Sequence, residues 1–173
     1  LLSVGFSAAA AIYLFLFLER RFSRAEALAS AVLFSLIPLE IYFGRTIQPE
    51  ALALCATLAA FYHWDRFLDE ESLGHWACAL LGAFLAIAHK LPYGYCLLVL
   101  AALTALRRGA TAFRKPAILA AGPLCLAAVF VWYKHAGNSG VYVVPSHAGE
   151  FASLFNYSKL PFYVQFQFLS RLP

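Results

Sequence analysis

Two polar interruptions in an otherwise apolar sequence hold the residues best suited to chemistry. The first is Gly44-Arg45-Thr46-Ile47-Gln48-Pro49-Glu50, with Glu40 one or two helical turns before it. The second is His89-Lys90-Leu91-Pro92-Tyr93-Gly94-Tyr95. Arg45 offers a planar fork of donors and Lys90 a point charge, and both suit a phosphate. Glu40, Gln48 and Glu50 can hold hydroxyl groups. His89 adds a polar ring, and Tyr93 and Tyr95 add aromatic faces. A lipid-linked sugar phosphate needs such a set: donors for the phosphate, carboxylates, amides and rings for the sugar, and an apolar groove for the tail. A plainer reading uses the same residues. Arg45 and Lys90 then reach out to phospholipid head groups, Pro49 and Pro92 begin helices, and His89 is a polar group at a span end. Spacing alone leaves both readings open.

The elements that must carry these residues are transmembrane helices. Hydrophobic residues make up 62% of the chain and charged residues 13%. A soluble domain carries about a quarter charged residues, so a water-soluble globule is excluded. Spans are expected at about 1–18, 25–43, 49–64, 73–88, 92–106 and 117–133. The third to fifth are short for a hydrocarbon core that needs about 20 residues, although their flanks extend them. Their richness in Ala suits closely packed neighbours. The fold class expected is an all-α polytopic bundle of about six spans. Residues 1–133 form the bundle, and 134–173 form an extracytoplasmic loop with amphipathic, aromatic segments. Asp65–Ser72 reads as a solvated loop. The chain starts inside an apolar run, without an initiator Met, and ends on Pro173, so a piece of a longer membrane protein is expected.

Lys and Arg counts set the orientation. Arg20, Arg21, Arg24, Arg107, Arg108, Arg114 and Lys115 fall in the first and fifth loops, against only Arg45 and Lys90 in the second and fourth. The odd loops are therefore expected in the cytoplasm, and both polar interruptions and the tail outside it. The modest positive charge is explained by this asymmetry, so nucleic acid is not an expected partner.

The tail repeats Phe151, Leu154, Phe155, then Phe162, Phe166 and Leu169 at helical spacing, as interfacial helices do. The alternation in 162–169 also permits a strand. The tail reads equally as a connector and as a cap over a membrane pocket. Asn156-Tyr157-Ser158 matches a glycosylation acceptor pattern. Cys55, Cys78, Cys96 and Cys125 lie in apolar runs without metal-type spacing and read as small buried hydrophobes. His63, His75, His135 and His147 show no ligand pattern. No cofactor is named by the residues, and a divalent metal is compatible with the acids but unsupported by any spacing.

The stretch Pro38–Leu52 resembles the GT-C superfamily of integral membrane glycosyltransferases. It is similar to the bacterial branch of the dolichyl-phosphate-mannose protein mannosyltransferases and to the aminoarabinose lipid A transferases. Those families show a proline-ended span, an aromatic-Ser/Gly-Arg-x-x-x-Pro-Glu/Asp break and an Ala/Leu-rich span. A Thr-Lys-x-Pro-like break follows, matched by His89-Lys90-Leu91-Pro92, then a basic loop and another span. The resemblance covers about 1–133. His89 stands where a small hydroxyl residue is usual, and Glu40 is unusual at its place. The resemblance implies transfer of a sugar from a polyprenyl-phosphate donor to a lipid, glycan or protein acceptor on the extracytoplasmic face of a bacterial inner or plasma membrane. It implies that Lys90 and Arg45 hold the donor phosphate, that Glu50 supports catalysis by positioning the acceptor or the catalytic loop, and that Tyr93 lines the donor groove. The main catalytic carboxylate is expected in an outer loop that would precede Leu1. The alternative function is a transporter or flippase for a lipid or a small anion, which broken helices with outer-face cations would also serve. A non-catalytic membrane subunit is a third reading.

Overall fold

The computed structural model describes residues 2–37 and 50–138. Six α-helices account for most of them: α1 Leu2–Glu19, α2 Arg24–Leu36, α3 Glu50–Glu70, α4 Leu73–His89, α5 Tyr95–Arg108 and α6 Pro116–Asn138. Short 3-10 turns, Leu91–Gly94 and Ala110–Arg114, precede α5 and α6. No strand occurs among the described residues. The chain divides into two units, Leu1–Trp132 and Tyr133–Pro173. Of the second, only the last turns of α6 are described. The expected amphipathic segments of 151–169, with their helix-or-strand alternative, the glycosylation pattern and the cap, lie outside the described residues.

The first unit is organised around α3, which packs on α1, α4 and α5. The reason is the small side chains on α3 and α4. Ala53, Ala56 and Ala60 on α3 and Ala79, Gly82, Ala83 and Ala86 on α4 are all buried, and Gly82 stands against Ala56 and Ala60. Gly82 marks the closest approach. A Cβ there would stand 2.7 Å from the Ala56 carbonyl oxygen and 3.1 Å from the Ala60 nitrogen. Small residues permit such contact, and dispersion then holds helices together where no hydrophobic force separates them from lipid. On its other side α3 builds a core of Ala10, Cys55 and Leu58, with Phe6, Tyr13 and Phe34 against it.

Several buried polar groups find partners inside the bundle. The Trp64 indole N–H donates to Thr104 Oγ1 at 2.9 Å, and that hydroxyl donates to the Leu100 carbonyl at 2.8 Å. Ser23 and Glu26 form a reciprocal capping box that starts α2, satisfying two orphan N–H groups. Gly109, at φ +72°, ends α5, a conformation that glycine adopts without a Cβ clash.

Helix starts fall within three residues of the expected spans wherever they are described, but α2 ends at Leu36, short of the expected 43, and α3 runs to Glu70, past the expected 64. Two helices, Leu2–Glu19 and Pro116–His135, are long and apolar enough to cross a membrane, and Leu73–His89 is a shorter apolar helix. Large apolar side chains stand on the outside of the bundle, among them Leu33, Leu98, Leu119 and Phe130. Apolar surface on this scale asks for lipid or a partner helix.

Two expectations are corrected. Asp65–Ser72 is not a solvated loop, because α3 continues through Glu70 and Asp65 is fully buried. Only Glu71 and Ser72 separate α3 from α4, with Glu71 at φ +53°. Of the four cysteines, Cys55, Cys96 and Cys125 are buried, but Cys78 is exposed.

Candidate functional site

The order of the helices brings Glu50, the last residue of the first interruption, beside Lys90 of the second. α3 leaves the first at Glu50, and α4 returns beside it to the second at Lys90. α3 has 21 residues, which at 1.5 Å per residue spans about 30 Å. Its two ends are therefore separate polar regions.

At the first end the Lys90 ammonium donates to Glu50 Oε1. This ion pair joins residues 40 positions apart. Glu50 also lies in the first turn of α3, where the positive end of the helix dipole favours a carboxylate. Glu50 Oε2 is buried and takes no hydrogen bond from any described residue. Lys90 is the more open partner, its side chain 41% exposed against 16% for Glu50. An ammonium carries three donors, so pairing with Glu50 leaves donors that can meet an anion arriving from outside. A short 3-10 turn follows Lys90 at once, with the Tyr93 N–H donating to the Lys90 carbonyl at 3.0 Å. Pro92 supplies the fixed backbone angle that starts this turn. The rings of Tyr93 and Tyr95 lie 5.7 Å apart, tilted 31°. His89 is exposed, and its ring makes a 2.8 Å contact through Nδ1 with the Leu85 carbonyl on its own helix. Of the residues singled out by sequence, Glu50, His89, Lys90 and Tyr93 are thus gathered at one end of the α3–α4 hairpin. Glu40, Arg45 and Gln48 lie outside the described residues.

The opposite end holds a larger array that the sequence did not reveal. Asp65 accepts from Arg20 Nε at 2.7 Å, from Arg107 at 2.9 Å, and from Arg21. Asp69, one turn on, pairs with Arg20 and with Arg107 at 3.0 Å. Arg108 donates to the Leu68 carbonyl, and Lys115 pairs with Glu71. This array ties the end of α1 and the end of α5 to α3. The positively charged first and fifth loops do share one end of the bundle, together with the turn between α3 and α4. Lys115 beside Glu71 holds that carboxyl below the usual carboxylate range. His63 and His75, which had no pattern in sequence, stand with their Nδ1 atoms 2.9 Å apart, and His75 Nε2 lies 3.3 Å from Glu70. One of the two rings must donate and the other accept. The only local signal for this end was the pair of acids Asp65 and Asp69 at helical spacing after a long apolar run. No group of three or more His, Cys, Asp or Glu among the described residues is placed to hold a metal ion.

The family model described as dolichyl-phosphate-mannose-protein mannosyltransferase matches residues 1–133. That range includes both polar interruptions and all the helices but the end of α6. No curated protein and no solved structure matches the chain.

Proposed function

The chain belongs to the dolichyl-phosphate-mannose-protein mannosyltransferase family of membrane glycosyltransferases, and on that premise we propose that it moves a sugar from a polyprenyl-phosphate donor to an acceptor on the extracytoplasmic face. The acceptor is a lipid, a glycan or a protein. The observation that carries the reading is the Glu50–Lys90 pair, which puts a cation and a carboxylate from separate interruptions at one place. In this transfer the bond between the anomeric carbon and the phosphate oxygen breaks. The acceptor oxygen takes its place, and the acceptor proton passes to a carboxylate base. Negative charge gathers on the departing polyprenyl phosphate, where Lys90, helped by Arg45, stabilises it. Glu50 orients the acceptor or the loop that carries the base. Glu40, Gln48 and His89 hold sugar hydroxyls, and Tyr93 lines the groove for the donor. The six helices act as six spans, which the apolar side chains on the outside of the bundle support; residues 134–173 follow as an extracytoplasmic loop.

Radiolabelled polyprenyl-phosphate sugars offered to the full-length protein in nanodiscs test the reaction. Removing a positioned charged donor costs about 100-fold or more in rate. Lys90→Ala should lose at least that much, and Glu50→Gln somewhat less. Unchanged turnover in Lys90→Ala would remove Lys90 from the site. Donor binding without turnover would favour a flippase instead. Orientation has its own test: a Cys at position 90 should react with an impermeant reagent added outside intact cells, and labelling only after permeabilisation would reverse it.

A further inference from the structure

The end of the bundle away from Glu50 and Lys90 contains a cavity of about 260 Å³ between α3, α4, α5 and the start of α6. Its walls are apolar, formed by Phe67, Leu68, Leu73 and Ile118, and its charged lining is Arg108, Lys115 and Glu71. Ile118 is buried, whereas Leu73 is 73% exposed, so the cavity opens onto apolar outer surface. The Trp76 indole N–H donates at 2.9 Å to the carbonyl of Ala117, another lining residue, and tryptophan collects at head-group level. The charge is complementary to an anion. Arg108 and Lys115 outnumber Glu71, and Arg114 precedes Lys115 in the chain. Both cations keep spare donors. Arg108 spends one N–H on the Leu68 carbonyl, and Lys115 one on Glu71, from complements of five and three.

We propose that this cavity binds an anionic phospholipid of the adjoining leaflet, its phosphate between Arg108 and Lys115 and the start of an acyl chain against Phe67, Leu73 and Ile118. In this arrangement Glu71 is a competitor for Lys115 that the phosphate displaces. The proposal rests on the membrane setting of the chain and not on its chemistry, so binding tests it without any sugar donor.

The experiment is a titration of the full chain, purified in detergent and delipidated, with phosphatidylglycerol and with phosphatidylcholine, read by native mass spectrometry. Two cations at about a kcal/mol each give a preference of at least tenfold for phosphatidylglycerol. Lys115→Gln should weaken phosphatidylglycerol about fivefold, and Glu71→Gln should strengthen it by a similar factor. Ile118→Trp, which fills the cavity and leaves every charge in place, should abolish the preference. If the ion pair is merely structural, both glutamine variants move binding the same way, and that result overturns the proposal. Equal binding of the two lipids overturns it, as does full displacement of phosphatidylglycerol by millimolar inorganic phosphate.

Discussion

The two ends of the α3–α4 hairpin use charge in opposite ways. At the Asp65 end, three arginines from two other segments converge on one fully buried carboxylate. Asp65 and the arginines around it are spent on one another, and the product is a clamp on α1, α3 and α5. At the Glu50 end the described residues form a single, half-open pair, and one carboxylate oxygen takes nothing from them. A closed network resists change, whereas an open pair can exchange partners with a substrate. The comparison separates the charges that hold the bundle from those that are free to work.

The sharpest way to break the comparison is to neutralise each end in turn. Asp65→Ala leaves three arginines facing an empty place and should cost about 3–5 kcal/mol, as breaking a buried pair does. Lys90→Ala should cost about 1 kcal/mol or less, because its side chain is half open to solvent, while activity collapses. Thermal unfolding in detergent measures both. A Lys90→Ala variant that melts as early as Asp65→Ala would make the two ends alike. Next in size is Gly82→Ala, whose new methyl meets the Ala56 carbonyl and forces α3 and α4 apart. Overpacking of this kind costs about 1–3 kcal/mol, and the melting temperature should fall although alanine is the better helix former. A melting temperature that rises would show that the seam has slack.

The smallest effect is that of pH. Lys115 lowers the Glu71 carboxyl in the folded chain, so this contact stabilises the fold above the unfolded carboxylate range. The stabilisation is lost as pH falls through the lowered value. Acid should therefore lower the melting temperature of the wild type slightly more than that of Glu71→Gln.

Much of the fold could be read from the order of apolar runs, because a span needs only length and hydropathy. That Glu50 and Lys90 share one end of the bundle could be read by counting spans, since parity puts the second and fourth loops on one side, but their direct pairing could not. Asp65 could not be read in the same way. Its partners lie 45, 44 and 42 residues away, and a row of charges looks solvated until the groups that cover it are known. The helix also outlasted the apolar run, because those arginines neutralise Asp65 and Asp69 and Arg66 pairs with Glu70. The two histidines were missed for a related reason: they meet across the α3–α4 turn, a contact that only the hairpin creates.

The seam at Gly82 carries a last consequence. Where backbones stand this close, there is no room for a larger side chain between them. The seam therefore sets how near the two helices run along their shared length. It also sets the reach across which Lys90 meets Glu50. A spacer placed mid-hairpin is thus a ruler for a contact at its end.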